Sequence, residues 1–224
     1  KFFDRPGRLI VGADLSFQSD DRKRFDNNNG TPGDKTLDRL ETVQSIGQYL
    51  RTEWQWTPRL ETVGGIRYDR VRFELDDAFL DDGDQSDDQT FSELSGTVGS
   101  IFHWNESMHL YANVATAFET PTTTELANDP NGGSGFNSDL KSQYSVSYEV
   151  GFKRRPLKGP ELDLALFIIR SRDELISYEI SGSTFYKNTG RSRRIGLEVG
   201  ISHHPMKWMK TSLSYTFSDF KFTE

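Results

Sequence analysis

The sequence predicts an all-β fold, an antiparallel meander of about nine long strands, and three observations predict it. Apolar and polar residues alternate over long stretches. In Tyr144–Lys153, Tyr144, Val146, Tyr148, Val150 and Phe152 face one side, and Ser145, Ser147, Glu149, Gly151 and Lys153 face the other. A period of two marks a strand with two different faces. The connections between such stretches run alternately long and short. The stretches also exceed the usual length of globular strands, and reach the roughly 9–11 residues that cross a bilayer. An aromatic and aliphatic stripe backed by Glu, Lys, Ser and Gly suits a barrel with lipid outside and polar contents inside.

The first strand is Leu9–Phe17, with Leu9, Val11, Ala13, Leu15 and Phe17 set against Ile10, Gly12, Asp14 and Ser16. A polar segment follows, Ser19–Glu41, rich in turn residues such as Asn27-Asn28-Asn29-Gly30 and Thr31-Pro32-Gly33, and it reads as a long loop. The second strand, Thr42–Thr57, turns at Pro58 into a third, Leu60–Leu75, and an acidic loop, Asp76–Gln89, comes next. The fourth, Thr90–Trp104, turns at Asn105-Glu106-Ser107 into a fifth that stops at Glu119-Thr120-Pro121. Proline ends it because it has no N–H to give a ladder. After the loop Glu119–Ser142 the sixth strand reaches Arg155 and turns within Pro156–Pro160. The seventh is Glu161–Tyr178, the segment Glu179–Ser192 reads as a loop, and the eighth turns at His203-His204-Pro205 into the last, Lys207–Phe222.

Trp54, Trp56, Trp104 and Trp208 all lie within a few residues of a short turn. Tryptophan prefers a membrane interface, where the ring is buried and its N–H stays wet, so these four read as one aromatic girdle. Tyr68, Phe73, Phe118, Tyr144, Tyr178 and Phe217 are candidates for the other.

Composition bounds the function without choosing it. The chain has 224 residues, 34% hydrophobic, 27% charged and 12% aromatic. Its mean hydropathy is −0.67. That value fits a soluble all-β protein, and fits a barrel in which only alternate residues meet lipid equally well. A net charge of −7 argues against nucleic acid as a partner. The absence of cysteine removes disulfides, thiolate metal sites and cysteine nucleophiles. Lys1 opens without methionine or a leader, and Phe220–Glu224 stops on a strand pattern, so the sequence reads as a piece of a larger protein.

Little catalytic chemistry is legible. His203 and His204 share a tight turn and read as structural or solvated, while His103 and His109 flank another turn and are expected to approach each other across a strand pair. The acidic loop lacks the order of an EF-hand and reads as solvated, with binding of divalent ions that bridge lipid phosphates as a sharper expectation. No nucleophile elbow, phosphate loop or cofactor site is found. The charges opposite the apolar stripes, Arg67, Asp69, Glu149, Lys153 and Glu198, form the wet side of a soluble sheet or the lumen of a barrel.

The stretch YANVATAFETPTTTEL, Tyr111–Leu126, followed by GFNSDLKSQYSVSYEVGFK, resembles the barrel of a TonB-dependent outer-membrane receptor of siderophore-receptor type. Gly65-Ile66-Arg67-Tyr68-Asp69, Lys187–Ser192 and Gly196–Gly200 fit the same pattern in the same order. The resemblance implies that residues 1–224 are part of a 22-stranded barrel domain, without the plug domain and terminal strands. It implies a location in the outer membrane of a Gram-negative bacterium, surrounded by lipid, and no enzymatic activity. It also implies binding and import of an iron–siderophore or similar metal chelate, powered through TonB. Arg67, Asp69, Glu149, Lys153 and Glu198 would then seat the plug. Arg22, Lys23, Arg24 and Arg191, with Arg193 and Arg194 beside the last, are candidates to meet an anionic chelate. The alternative is a soluble all-β carbohydrate- or ligand-binding module, with its aromatic stripes buried between two sheets. A barrel enzyme would need a convergent Ser/His/Asp set, and none is found.

Overall fold

In the computed structural model, residues 6–130 and 135–223 are described; residues 1–5, residues 131–134 and Glu224 lie outside them. The described residues form one sheet whose order follows the sequence from β1 to β9. Its strands are β1 (Gly7–Asn28), β2 (Thr31–Thr57), β3 (Leu60–Asp77), β4 (Asp87–Asn105), β5 (Met108–Glu119), β6 (Gln143–Arg154), β7 (Glu161–Ile180), β8 (Ser183–Met206) and β9 (Met209–Phe222). Every neighbouring pair is antiparallel. A soluble sandwich needs two sheets packed face to face, so the single sheet removes that alternative.

Two expected loops are strands instead. Ser19–Glu41 continues β1 and β2 far past their apolar parts, and the chain reverses at Asn29-Gly30. Both residues have positive φ, 54° and 92°, the conformation a two-residue hairpin turn requires. Glu179–Ser192 likewise runs through β7 and β8 around Ser181-Gly182, at 50° and 85°. Polar composition misled the reading in both places. These arms need only cross-strand pairs, such as Lys23 with Asp38, rather than an apolar stripe.

Register decides the two faces. Val98, Val114, Tyr148 and Ile168 lie in one row across β4 to β7, beside a second row of Phe102, Leu110, Phe152 and Leu164. The polar set lies in the alternate rows. Asn113, Glu149 and Phe167 are neighbours, as are Asp14, Gly47 and Asp69. Trp54 and Trp56 stack at 6.1 Å between ring centroids, and Trp104 packs edge-on against Phe102 of the apolar face.

The described β5–β6 connection folds back over the polar face. It carries a short helix, α1 (Thr123–Leu126), that the sequence reading did not anticipate. Thr122 and Glu125 form a capping box around its first turn, a signature the sequence does contain. Leu126, Phe136 and Leu140 are buried there with Phe73, Leu75 and Phe91, and Val43, Leu175 and Tyr186 pack against them. These contacts come from strands as distant in order as β2 and β8. In a flat sheet those strands would be roughly 29 Å apart at about 4.8 Å per step, so the sheet curls around this cluster with its polar face concave. Phe73, expected in an aromatic girdle, belongs to this interior cluster and is 4% exposed. Leu126→Ala is expected to weaken docking of the connection by about 2–5 kcal/mol. Amide exchange should accelerate in residues 120–128 while the β5–β6 ladder stays protected.

Candidate functional site

The concave face carries the charges the sequence singled out, and glycines make room for them. Gly47 lies between Asp14 and Asp69 in register, and a Cβ there would collide with Arg67 and Asp69. In the space it leaves, Arg67 Nε donates to both oxygens of Asp69 at 2.9 and 2.8 Å, and Arg67 Nη1 donates to Asp14 at 2.6 Å. The guanidinium also stands 5.8 Å from the ring centroid of Tyr49. Tyr49 in turn occupies the space over Gly12, Tyr111 that over Gly151, and Phe167 that over Gly196. Aromatic rings lying flat over cross-strand glycines restore packing that a bare backbone lacks.

The other predicted residues lie further along the same face. Glu149 sits between Asn113 and Phe167, and Glu198 between Ala165 and Thr216. Lys153 pairs with His109 and Asp163, and its ammonium lies 5.4 Å from the Tyr111 ring centroid. His103 and His109 meet as expected, Nδ1 to Nδ1 at 2.8 Å, with Glu61 3.8 Å from the far nitrogen of His103. One ring must donate and the other accept. Among the described residues no group of three or more His, Cys, Asp or Glu side chains is arranged to hold a metal ion.

The far end of the concave face is organised by two buried acids and an amide. Glu41 is 4% exposed, accepts a hydrogen bond from Arg22 at 2.6 Å and forms an ion pair with Arg39 at 2.6 Å. Arg22 also reaches Thr124 of α1 at 3.4 Å, which ties the β1–β2 arm to the connection. Glu174 accepts a short hydrogen bond from Ser192 on β8. Asn188 accepts from Lys141 N–H at 2.7 Å and donates to the carbonyls of Lys141 and Asp173 at 2.8 and 2.7 Å. Its side chain clips the connection to the β7–β8 arm. In the acidic loop, Asp77 accepts from the N–H groups of Phe79 and Gln85, and the Ser86 N–H holds the Asp84 carboxyl below the usual range. These carboxylates therefore shape the loop itself.

The four candidate cations separate. Arg22 is engaged with Glu41. Lys23 is on the convex side, 2.9 Å from Asp21, whose hydrogen bond raises its pKa. Arg24 is exposed on the concave side, paired in register with Leu37. Arg191 belongs to β8 and faces out on the convex side beside Arg172, as Arg193 does beside Arg170, while Arg194 faces in, its guanidinium 5.1 Å from the Phe220 ring centroid. Sequence alone could not separate these neighbours, because their loop was a strand. Asp69→Ala, which leaves Arg67 with Asp14 alone, is expected to cost about 1–3 kcal/mol in unfolding free energy. A double-mutant cycle with Arg67→Ala should return a favourable coupling of about 0.5–3 kcal/mol.

Residues 2–224 match the family described as TonB dependent receptor-like, beta-barrel. The metal-pseudopaline receptor CntO of Pseudomonas aeruginosa is 22% identical over 191 residues, covering 82% of this chain and 25% of that receptor. Among solved structures, the copper transporter OprC superposes with a TM-score of 0.76 at 19% identity, over 97% of this chain and 36% of that one. The ferric-catecholate import receptor Fiu of E. coli K12, in its closed form, gives 0.74 at 19% identity over 97% and 35%. This chain thus spans about a quarter of the length of the curated relatives it matches. The family consists of outer-membrane transport receptors of Gram-negative bacteria. With its sheet, its two faces and its match along almost the whole sequence, the chain belongs to the TonB-dependent receptors and represents part of their β-barrel.

Proposed function

We propose that this chain is a wall segment of an outer-membrane receptor that binds an iron–siderophore or similar metal chelate and imports it with TonB energy coupling. The observation that carries the proposal is the two-faced sheet. An apolar convex face with its tryptophans near one end suits lipid, and a curled concave face lined by Arg67, Asp69, Glu149, Lys153 and Glu198 suits a polar plug. The names of the relatives support the cargo class: a metal-pseudopaline receptor, a ferric-catecholate import receptor and a copper transporter.

Division of labour follows from geometry. Arg67 and Asp69 already bind each other, so they contribute shape and a fixed dipole to the plug contact. Glu149 and Lys153 on β6 and Glu198 on β8 offer charges for exchange with plug residues. At the long-loop end, Arg24 is the cation assigned to first encounter with an anionic chelate, because Arg22 is held by Glu41 and Lys23 by Asp21. Such an encounter raises the association rate and fades with salt.

The test is uptake of a radiolabelled ferric chelate by cells carrying the intact receptor, with and without TonB. Uptake is expected to require TonB and to stop when a protonophore collapses the proton gradient. Arg24→Gln should slow binding by a few-fold at low salt, with the difference shrinking toward none as ionic strength rises. A receptor that fractionates as soluble without detergent, or uptake indifferent to TonB, would sink the proposal.

A further inference from the structure

Two histidines meet on the concave face at the end where the turns between strands are short. His103 of β4 and His109 of β5 are directly opposite in register, and the row continues to Lys153 of β6. Their Nδ1 atoms are 2.8 Å apart and their ring planes cross at 83°. Imidazole nitrogens lie about 2.0–2.1 Å from a divalent ion of the late first row, so two of them 2.8 Å apart subtend roughly 86° at a shared ion. That is the angle between neighbouring positions of a tetragonal ion, and it is narrower than the tetrahedral angle of zinc.

The surroundings suit a cation. Glu61 of β3 lies diagonally across from His103, 3.8 Å from its Nε2. A carboxylate behind the far nitrogen of a ligating imidazole fixes its tautomer and raises its basicity. Nearby basic side chains are engaged elsewhere. Arg155 donates to both oxygens of Asp163 at 2.7 Å, and Lys153 stands over the Tyr111 ring. Both histidines line a cavity of about 440 Å³, with Ile101, Asn113 and Glu149 among its other walls. It has room for the water ligands that a pair of protein nitrogens leaves to be supplied.

We propose that His103 and His109 form an exchangeable two-imidazole site for a divalent cation of tetragonal preference, Cu²⁺ or Ni²⁺, on the concave side at the short-turn end. Both Nδ1 atoms ligate, water completes the shell, and Glu61 holds His103 from behind. The hydrogen that one Nδ1 carries in the free pair moves through solvent to the Nε2 of the same ring. Neutral histidines therefore release no net proton when the ion binds. Cations that prefer oxygen, such as Mg²⁺ and Ca²⁺, find no suitable ligands in the pair. The site depends on these side chains alone, so it stands or falls apart from the import reading.

The intact receptor, stripped of metal and held in non-ionic detergent, is titrated with Cu²⁺, Ni²⁺, Zn²⁺ and Mn²⁺ by calorimetry, and its Cu²⁺ form is examined by electron paramagnetic resonance. Cu²⁺ should bind tightest, Ni²⁺ next and Zn²⁺ after it, with Mn²⁺ about 100-fold or more weaker than Cu²⁺. The resonance should show coupling to two imidazole nitrogens. His103→Asn and His109→Asn are each expected to weaken Cu²⁺ binding about 10-fold or more and to leave coupling to one nitrogen. Glu61→Gln should weaken it about 10-fold with both nitrogens retained. His204→Asn, on β8, should change neither reading. Heat-modifiable migration on a gel reads folding in each case. The metal order and nitrogen count of the unaltered protein test the site even if a variant does not fold. Cu²⁺ binding indifferent to both histidine changes, or a signal without two imidazole nitrogens, would overturn the site. Zn²⁺ binding more tightly than Ni²⁺ would overturn the tetragonal assignment. Failed chelate uptake with Cu²⁺ binding intact would instead count against the transport reading alone.

Discussion

Strands β2 to β8 each pair on both sides with their neighbours in sequence, β1 and β9 on one side each, and that ladder is the constraint on which the rest depends. In a lipid surrounding no water is available to pair a stray N–H or C=O, so the ladder must be continuous. Once the register is set, a period of two sends alternate residues to opposite faces, and a slip by one would exchange them all. The apolar rows and the charged rows are therefore consequences of one pairing. Gly47 beside Arg67, and Gly151 beneath Tyr111, show how closely the register is used: each glycine lies where its cross-strand neighbour needs the space.

The concave face is polar along most of its length and apolar at one end. That change explains the β5–β6 connection. A connection of this length carries polar backbone groups that must be paired when buried, and here the partners are specific. Thr122 and Glu125 cap α1, Asp87 accepts from Phe136 N–H at 2.9 Å, and Asn188 takes both backbone groups of Lys141. Leu126, Phe136 and Leu140 then bury apolar surface against Phe73 and Phe91. The connection is thus held by side chains from three other strand pairs, which couples the arms at the long-loop end to one another.

Ion pairs occur on both faces. On the concave side, Asp14, Asp69 and Arg67 answer one another, and Glu41 is shared by Arg22 and Arg39. On the convex side, Arg170 faces Arg193 across the pair without a carboxylate between them.

The sequence by itself determined the β class, the strand order, the two faces and the aromatic positions near the short turns, because alternation and turn residues are local properties that tertiary contacts rarely override. It also carried the Thr122–Glu125 capping box, which went unread because a helix of four residues gives no periodicity. Tertiary structure decided the rest. Ser19–Glu41 and Glu179–Ser192 are polar enough to read as loops, yet cross-strand pairing makes them strands, since a strand clear of the apolar band needs partners rather than hydrophobicity. Phe73 reads as an outward aromatic, but its row and the docking of Leu126 make it interior. Which of Arg191, Arg193 and Arg194 faces out follows once pairing with β7 makes Glu179–Ser192 a strand, because a period of two then carries the outward face of Ile195 and Leu197 back to Arg193 and Arg191.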